Sequence, residues 1–235
     1  MATPQVPRAV EAEKKRKKSL VREYVEAIGI AILLALVIRT LVVQAFTIPS
    51  GSMMDTLQVG DYILVNKFLY GAEVPFTGWH LPGLRQPHRG DIVVFKYPLD
   101  EKRDFIKRIA AVPGDELVIR GNQIIINGGP AAEPYVKPGT GAFTPPRYLA
   151  DRGSGEPCLA QAANAAERQP DQFGPIVIPR GHYFVMGDNR DNSQDSRYWG
   201  CLKREHIRGK AFLIYWSWNG EDGWLRWRRL GKIIW

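Results

Sequence analysis

The sequence predicts a mainly β domain preceded by a single membrane-spanning helix, on three observations. One long apolar run stands near the N-terminus. After Gly60, short runs rich in Val, Ile, Tyr and Phe recur between Gly, Pro, Asn and Asp turns. No stretch of that later region sustains a helical period. With 235 residues, 45% of them hydrophobic, the chain suits one sizeable core plus an attachment.

Residues 1–22 form a basic arm, with seven Lys or Arg against Glu11 and Glu13. Residues 23–46 are assigned to a transmembrane helix. The apolar run itself, AIGIAILLALVIRTLVVQAFTI at 27–48, extends about 33 Å at helical rise, against a hydrocarbon core of about 30 Å. Arg39 opposes insertion by about 2.5 to 3.5 kcal/mol, but the Ile, Leu, Val and Phe residues around it together contribute about −4 to −8 kcal/mol, so insertion prevails. The basic arm has no counterpart just beyond the span, which places the N-terminus in the cytoplasm and everything after the span outside. A cleavable signal peptide is the rival reading, but the run is too long for its apolar region. AFLIYWSW, at 211–218, is too short to cross a bilayer.

The strands expected beyond the span are DYILVNKF, GDIVVFKYP, DFIKRIAAV, DELVIRG, NQIIING, GPIVIP, HYFVMGD and KAFLIYWSW. Between 128 and 175 the pattern lapses into Pro, Gly and Ala. The expected organisation is therefore a β domain over 47–127 and 176–235, with a loop-rich insertion, 128–175, within it.

Net charge is +8, with +5 in residues 1–22 and +4 in the last twelve residues, leaving the body between them at −1. Basic ends on a near-neutral body suit anionic lipid headgroups, whereas a nucleic-acid binder carries its charge on the folded body. Cys158 and Cys201 have no C-x-x-C spacing and no cluster with histidines, which argues against zinc; whether they form a disulfide is open at this stage.

Three stretches carry candidate chemistry. In FTIPSGSMMDTLQVGD, directly after the span, Ser52 lies between Gly51 and Met53 in a turn stiffened by Pro49. It lacks G-x-S-x-G, so no α/β-hydrolase elbow is indicated. His80, His88, His182 and His206 are available as bases, yet none lies in a triad-like segment. In DFIKRIAAV, strand alternation puts Phe105, Lys107 and Ile109 on one face and Ile106, Arg108 and Ala110 on the other. A lysine among bulky apolar neighbours loses solvation, and that can lower its pKa by up to about 3 to 5 units, making it a base. A lysine snorkelling from a strand edge is the plain alternative. In MGDNRDNSQDSRYWG the acids do not follow calcium-loop spacing. They read instead as a paired network in which Asp188, Asp195, Arg190 and Arg197 offset one another and the Ser193 hydroxyl orients a neighbour.

Taken together and in this order, IPSGSMMDTLQVGDYILVNKF, RGDIVVFKYP, IKRIAAVPGD and GDNRDNSQDSRYWG resemble the type I signal peptidases, the membrane-bound leader peptidases of bacteria. The resemblance spans 46–216 apart from the insertion. It implies a signal-peptidase-like β domain with a Ser/Lys dyad, Ser52 as nucleophile and Lys107 as general base. It further implies an oxyanion hole from the Ser50 hydroxyl and the Ser52 amide, Ser193 orienting Lys107, and Asp188, Asp195 and Arg197 as support. Substrate-pocket walls fall to Phe46, Ile48, Met53, Leu57, Phe105 and Ile106. The implied reaction is cleavage of exported preproteins after small residues of A-x-A type, at the outer face of a bacterial cytoplasmic membrane, with no metal or organic cofactor. The bilayer is an implied partner, an export translocon an implied neighbour, and nucleic acid is not a partner.

The chain departs from the family at Asp55, where proline is usual. That removes a φ constraint and places a carboxylate where it would raise the pKa of Lys107. Two other readings stay open on the residues alone: a self-cleaving repressor with the same chemistry, against which stands a span where a DNA-binding region belongs, and a membrane-anchored β scaffold in which the motifs are structural.

Overall fold

The computed structural model describes residues 20–71, 77, 79, 81–121, 123–136, 157–161, 172–220 and 223–235. It divides into two units, up to Val37 and from Ile38 onward. In the first, α1 (Leu20–Val37) buries none of its residues, and Leu20–Val42, which includes a π-helical turn over Ile38–Val42, is long and apolar enough to cross a membrane. The basic arm lies outside the described residues, apart from its last three. The helix is shorter at its C-terminal end than the expected 23–46. Val43–Thr47 is instead strand β1, because its backbone is taken up by pairing along β2 (Asp61–Asn66), from Val43 with Asn66 to Thr47 with Tyr62. Apolar content alone does not separate a buried strand from the end of a span.

The second unit is mainly β, as expected. Its principal sheet runs β1, β2, β11 (Ile207–Asn219), β3 (Ile92–Tyr97), β4 (Asp100–Ala111), β9 (His182–Met186), β10 (Leu202–Lys203). All these pairs are antiparallel. Two short C-terminal strands, β12 (Trp224–Leu225) and β13 (Lys232–Ile233), pair with β11. DYILVN alternates buried and half-buried side chains, as a strand with one covered face should, whereas IVVFKY, flanked by β11 and β4, is buried almost throughout.

A second sheet is formed by β7 (Gly129–Pro130), β6 (Gln123–Ile126), β5 (Glu116–Arg120) and β8 (Gln172–Val177). Both ends of the expected insertion 128–175 are therefore strand: 129–130 pairs with β6 and 172–175 begins β8. Glycine and proline hid these ends. Residues 137–156 and 162–171 are not described. A short helix, α2 (Pro157–Gln161), places Cys158 and Leu159 in the apolar core of this sheet, and Cys158 is disulfide-bonded to Cys201, with Cα atoms 5.7 Å apart. The open question about the two cysteines is thereby answered.

Two further apolar clusters flank the principal sheet. One gathers Ile48, Met53, Leu57, Ile63, Ile92 and Ile106; the other gathers Val93, Phe95, Ile109, Val185 and Trp199, with Phe105 at its margin. The C-terminal half of β4, from Ile106, runs between them and is buried on both faces, whereas residues 100–104 are exposed.

Candidate active site

Ser52 sits on the loop that joins β1 to β2. The loop is closed at its base by two backbone bonds, Ile48 N–H to the Asp61 carbonyl (2.9 Å) and Gly60 N–H to the Ile48 carbonyl (3.0 Å). Burial of Ile48, Met53 and Leu57 pins it to the sheet, which is why a Gly and Ser cluster here is ordered. Gly51–Met53 forms one turn of 3-10 helix, and the Ser52 amide, in its first turn, has no acceptor among the described residues, as the first amides of a helix do not. Ser50, just before it, is exposed, and its hydroxyl makes no hydrogen bond with the described residues.

Lys107 reaches this loop from β4. Its ammonium Nζ donates to Ser52 Oγ at 2.6 Å and to the Ile106 carbonyl at 2.8 Å, and lies 5.6 Å from the centre of the Phe105 ring. Both side chains are buried, Lys107 at 4% exposure and Ser52 at 6%. Burial depresses the Lys107 pKa to about 8, with Asp195 and Asp188 acting in the opposite direction. The expected neighbour Phe105 is found beside the ammonium. Among the described residues no carboxylate touches the ammonium, and desolvation dominates.

The loop after β9 supplies the surroundings. Gly187 is needed for close approach: a Cβ there would lie 2.3 Å from Ser193 Oγ and 2.5 Å from the Ser52 carbonyl oxygen. Ser193 Oγ donates to Asp195 Oδ2 at 2.7 Å, and Arg197 Nε donates to Asp195 Oδ1 at 2.8 Å. Burial pushes the Asp195 carboxyl up, but Arg197 and the bonds from Ser193 and the Gly187 amide outweigh it and hold the group ionised. Among the described residues Ser193 forms no hydrogen bond to Lys107; its one bond is to Asp195.

Asp195 and Arg197 pair as expected. Asp188 and Arg190 do not offset each other. Asp188 is held bidentately by Arg108, Nε to Oδ1 at 2.9 Å and Nη2 to Oδ2 at 2.7 Å, and accepts from Thr56 Oγ1 at 2.6 Å. Arg190 pairs with Glu133 at 2.5 Å, on the segment that leaves the second sheet. Arg108 is the residue that sequence reasoning missed. The signal was present: alternation put it on the face with Ile106, and a buried arginine requires an acid. Asn189 was also missed. Its backbone N–H donates to the Ser52 carbonyl at 3.1 Å and its Nδ2 to the Gly51 carbonyl at 3.1 Å, clamping the turn that carries the hydroxyl.

Of the residues assigned to pocket walls, Ile48, Met53, Leu57 and Ile106 share one cluster with Phe46 packed at its edge. Phe105 lies on the other face of β4, stacked on Tyr97 with ring centres 4.3 Å apart. Asp55 is exposed and has φ 51°, which a proline ring cannot adopt. This turn therefore differs in backbone shape from one built on proline. Asp55 also does not act on Lys107; the carboxylates that raise its pKa are Asp195 and Asp188.

A buried serine hydroxyl bonded to a desolvated lysine on an antiparallel sheet, beside an unpaired amide, is the arrangement of a serine hydrolase that works without a histidine. The chain belongs to the signal peptidase family, peptidase S26, whose model matches residues 21–216. A signal peptidase I of Pseudomonas aeruginosa is 40% identical over 220 residues, covering 88% of this chain and 76% of that one. One from Aquifex aeolicus is 38% identical over 228 residues, covering 83% and 84%. A solved signal peptidase I from Enterococcus faecalis V583 is 27% identical, covers 55% of this chain and 98% of its own, and superposes with a TM-score of 0.37. The fold described above rests on this chain's own strand pairing.

Proposed function

We propose that this chain is a membrane-anchored serine endopeptidase that removes N-terminal signal peptides from exported preproteins. The 2.6 Å contact between Lys107 Nζ and Ser52 Oγ in a buried setting carries the reading. With Lys107 neutral, the Ser52 hydroxyl donates to its lone pair. As Oγ attacks the scissile carbonyl the proton passes to Nζ, and it then goes on to the leaving amine. Water, deprotonated by the same amine, releases the acyl group and regenerates Ser52. The unpaired Ser52 amide and the Ser50 hydroxyl stabilise the oxyanion. Asn189 clamps the Gly51 and Ser52 carbonyls and so holds the turn in which this amide can meet the substrate's carbonyl oxygen. Ser193 and the Asp195–Arg197 pair support the site through Gly187, which packs against the Ser52 carbonyl.

The substrate lies extended beside Ser52 against the apolar cluster of Ile48, Met53, Leu57 and Ile106 with Phe46 at its edge; that cluster is closely packed, which suits small side chains of the A-x-A type before the cut. Phe105 contributes by desolvating Lys107. Residues 1–22 lie in the cytoplasm, the helix crosses the cytoplasmic membrane, and the β domain works on the outer face, beside an export translocon. Exposed Trp224, Trp227 and Trp235 interleave with Arg228 and Lys232 and seat the domain on anionic lipid. Arg229 is not part of that surface: it is buried against Asp61, with Nε at 2.9 Å from Oδ1. Charge reversal to test lipid seating therefore belongs at Arg228 and Lys232.

Incubating the detergent-solubilised chain with a radiolabelled preprotein tests the function. Wild type cuts at the signal-peptide junction and Ser52→Ala does not; equal cutting by both, or by neither, would refute the assignment. Protease added to intact spheroplasts should digest the β domain and spare residues 1–22; protection of the whole chain contradicts the orientation.

A further inference from the structure

A second concave surface lies where the turn before β9 meets the residues after β10. Two adjoining cavities there, of about 660 Å³ and about 440 Å³, share Gln86, Arg180, Gly181 and Arg204. None of the residues bonded to Ser52 or Lys107 lines either one. Among the described residues that line them, Arg180, Lys203, Arg204 and Arg89 outnumber the one acid, Glu205; Arg89 is paired with Asp115 and Lys203 with Glu205, which leaves Arg180 and Arg204 as the cations without a carboxylate.

Arg204 is what sets this surface apart. Among the described residues the other buried or half-buried arginines of the β unit meet a carboxylate, Arg85 at Asp91, Arg108 at Asp188, Arg190 at Glu133, Arg197 at Asp195, Arg208 at Asp104, and Arg226 and Arg229 at Asp61. The half-buried Arg204 guanidinium instead donates to the Tyr70 carbonyl and lies 5.6 Å from the centre of the Tyr70 ring. No carboxylate among the described residues pairs with it or with Arg180. Burial lowers the pKa of Arg204, opposed only by the phenols of Tyr183 and Tyr70. A partly desolvated cation without a counter-ion gains more from an arriving anion than a solvated one does.

The backbone defines the shape of the ligand. β10 is the last strand of the principal sheet and, among the described residues, pairs only with β9; Leu202 is fully buried, so the edge open to a further strand is that of the exposed Lys203. Leu81 in the larger cavity and Val112 and Pro113 in the smaller one give the adjoining walls an apolar part. A lone headgroup or phosphate uses only the cations. An extended chain uses the strand edge, the apolar walls and the cations together.

We propose that the groove beside β10 binds an extended acidic peptide segment of a partner protein, which adds to the open strand edge and places its carboxylates on Arg180 and Arg204. The site is separate from Ser52 and does not depend on its chemistry.

The test uses the full chain in neutral detergent micelles and the fluorescence anisotropy of a labelled peptide of alternating Glu and Val. The control peptide carries Lys in place of Glu. Arg180→Glu combined with Lys203→Glu alters two exposed side chains, and the pair should leave preprotein cleavage unchanged. The acidic peptide should bind wild type, the basic one should not, and the double variant should weaken binding about tenfold or more. Ser52→Ala should bind as wild type does, which keeps this result separate from the proteolytic reading. Equal binding by wild type and double variant overturns the proposal, as does equal binding of the two peptides. So does displacement of the peptide by glycerol phosphate at matching concentration, which would mark a site for phosphate or lipid headgroups alone.

Discussion

Asp91 and Lys107 lie close together in the sheet, one just before β3 and the other within β4, and both are almost wholly buried, at 6% and 4% exposure. Their chemistry is opposite. Around Asp91 stand Arg85 at 2.8 Å, Lys210 at 2.8 Å, the Tyr70 hydroxyl at 2.7 Å and the His88 amide at 2.9 Å. Burial raises the Asp91 pKa, but these donors outweigh it and hold the carboxyl far below the usual range, so it stays charged. Lys107 is given a hydroxyl, a carbonyl and an aromatic ring, and its carboxylates act only from beyond contact. Burial then outweighs them and holds the amine below the ordinary lysine value, as the proposed base requires. Equal burial makes a structural charge when partners are supplied and a reactive group when they are withheld.

The largest expected effect follows from withdrawing the reactive pair. Ser52→Ala should lower kcat/KM by roughly four orders of magnitude or more. Lys107→Arg, whose guanidinium stays protonated, should lower it by about 10³-fold with the fold intact by circular dichroism. Activity of Lys107→Arg near wild type would remove lysine from the mechanism.

Lys107→Met sharpens the comparison in the other direction. The folded-state pKa lies below the unfolded one, so the folded state disfavours the charged lysine. That penalty is complete below pH 8 and is relieved as pH rises through about 8 toward 10.5. The inactive Lys107→Met should therefore be more stable than wild type at pH 7 by about 2 to 3 kcal/mol in urea unfolding, and the gain should fade toward pH 10. A loss of stability at pH 7 would mean that the lysine is well paired.

Asp91→Asn should do the opposite, costing about 3 kcal/mol at pH 7 while leaving the pH profile of kcat/KM in place. The Asp91 pKa is depressed by folding, so its contribution is present above the unfolded value and is lost as pH falls toward the folded one. The gap between variant and wild type should accordingly close in acid. A shifted kcat/KM profile would show that the two sites are coupled.

The smallest effect belongs to Asp188→Asn. Asp188 raises the Lys107 pKa, and its removal also leaves Arg108 uncompensated, so both changes push the lysine lower. The acid limb of kcat/KM should move to lower pH, and movement to higher pH contradicts the electrostatic picture.

Much of this contrast was legible before any coordinates. Alternation in DFIKRIAAV put Lys107 beside Phe105 and Ile109, and the motif order brought it to Ser52. What local pattern does not carry is the identity of a distant partner. Arg108 and Asp188 are far apart in sequence, so the expected network kept Asp188 among the charges of its own loop, Asp195, Arg190 and Arg197, and Asn189 acts through backbone carbonyls that no motif displays. The end of the helix failed for a related reason. Val43–Thr47 is apolar enough to extend a span, and only pairing with β2 makes it a strand. The second sheet was blurred where β7 and β8 contain Gly and Pro, residues that normally punctuate strands.

The central claim is that desolvation without a contacting acid makes Lys107 the base. Its most direct test is titration of the Lys107 amine by nitrogen NMR of the full chain in micelles, with Lys107→Arg used to assign the signal. A midpoint near pH 8 that coincides with the acid limb of kcat/KM is the expected result. A midpoint near the ordinary lysine value of about 10.5, with activity already full at neutral pH, would contradict it.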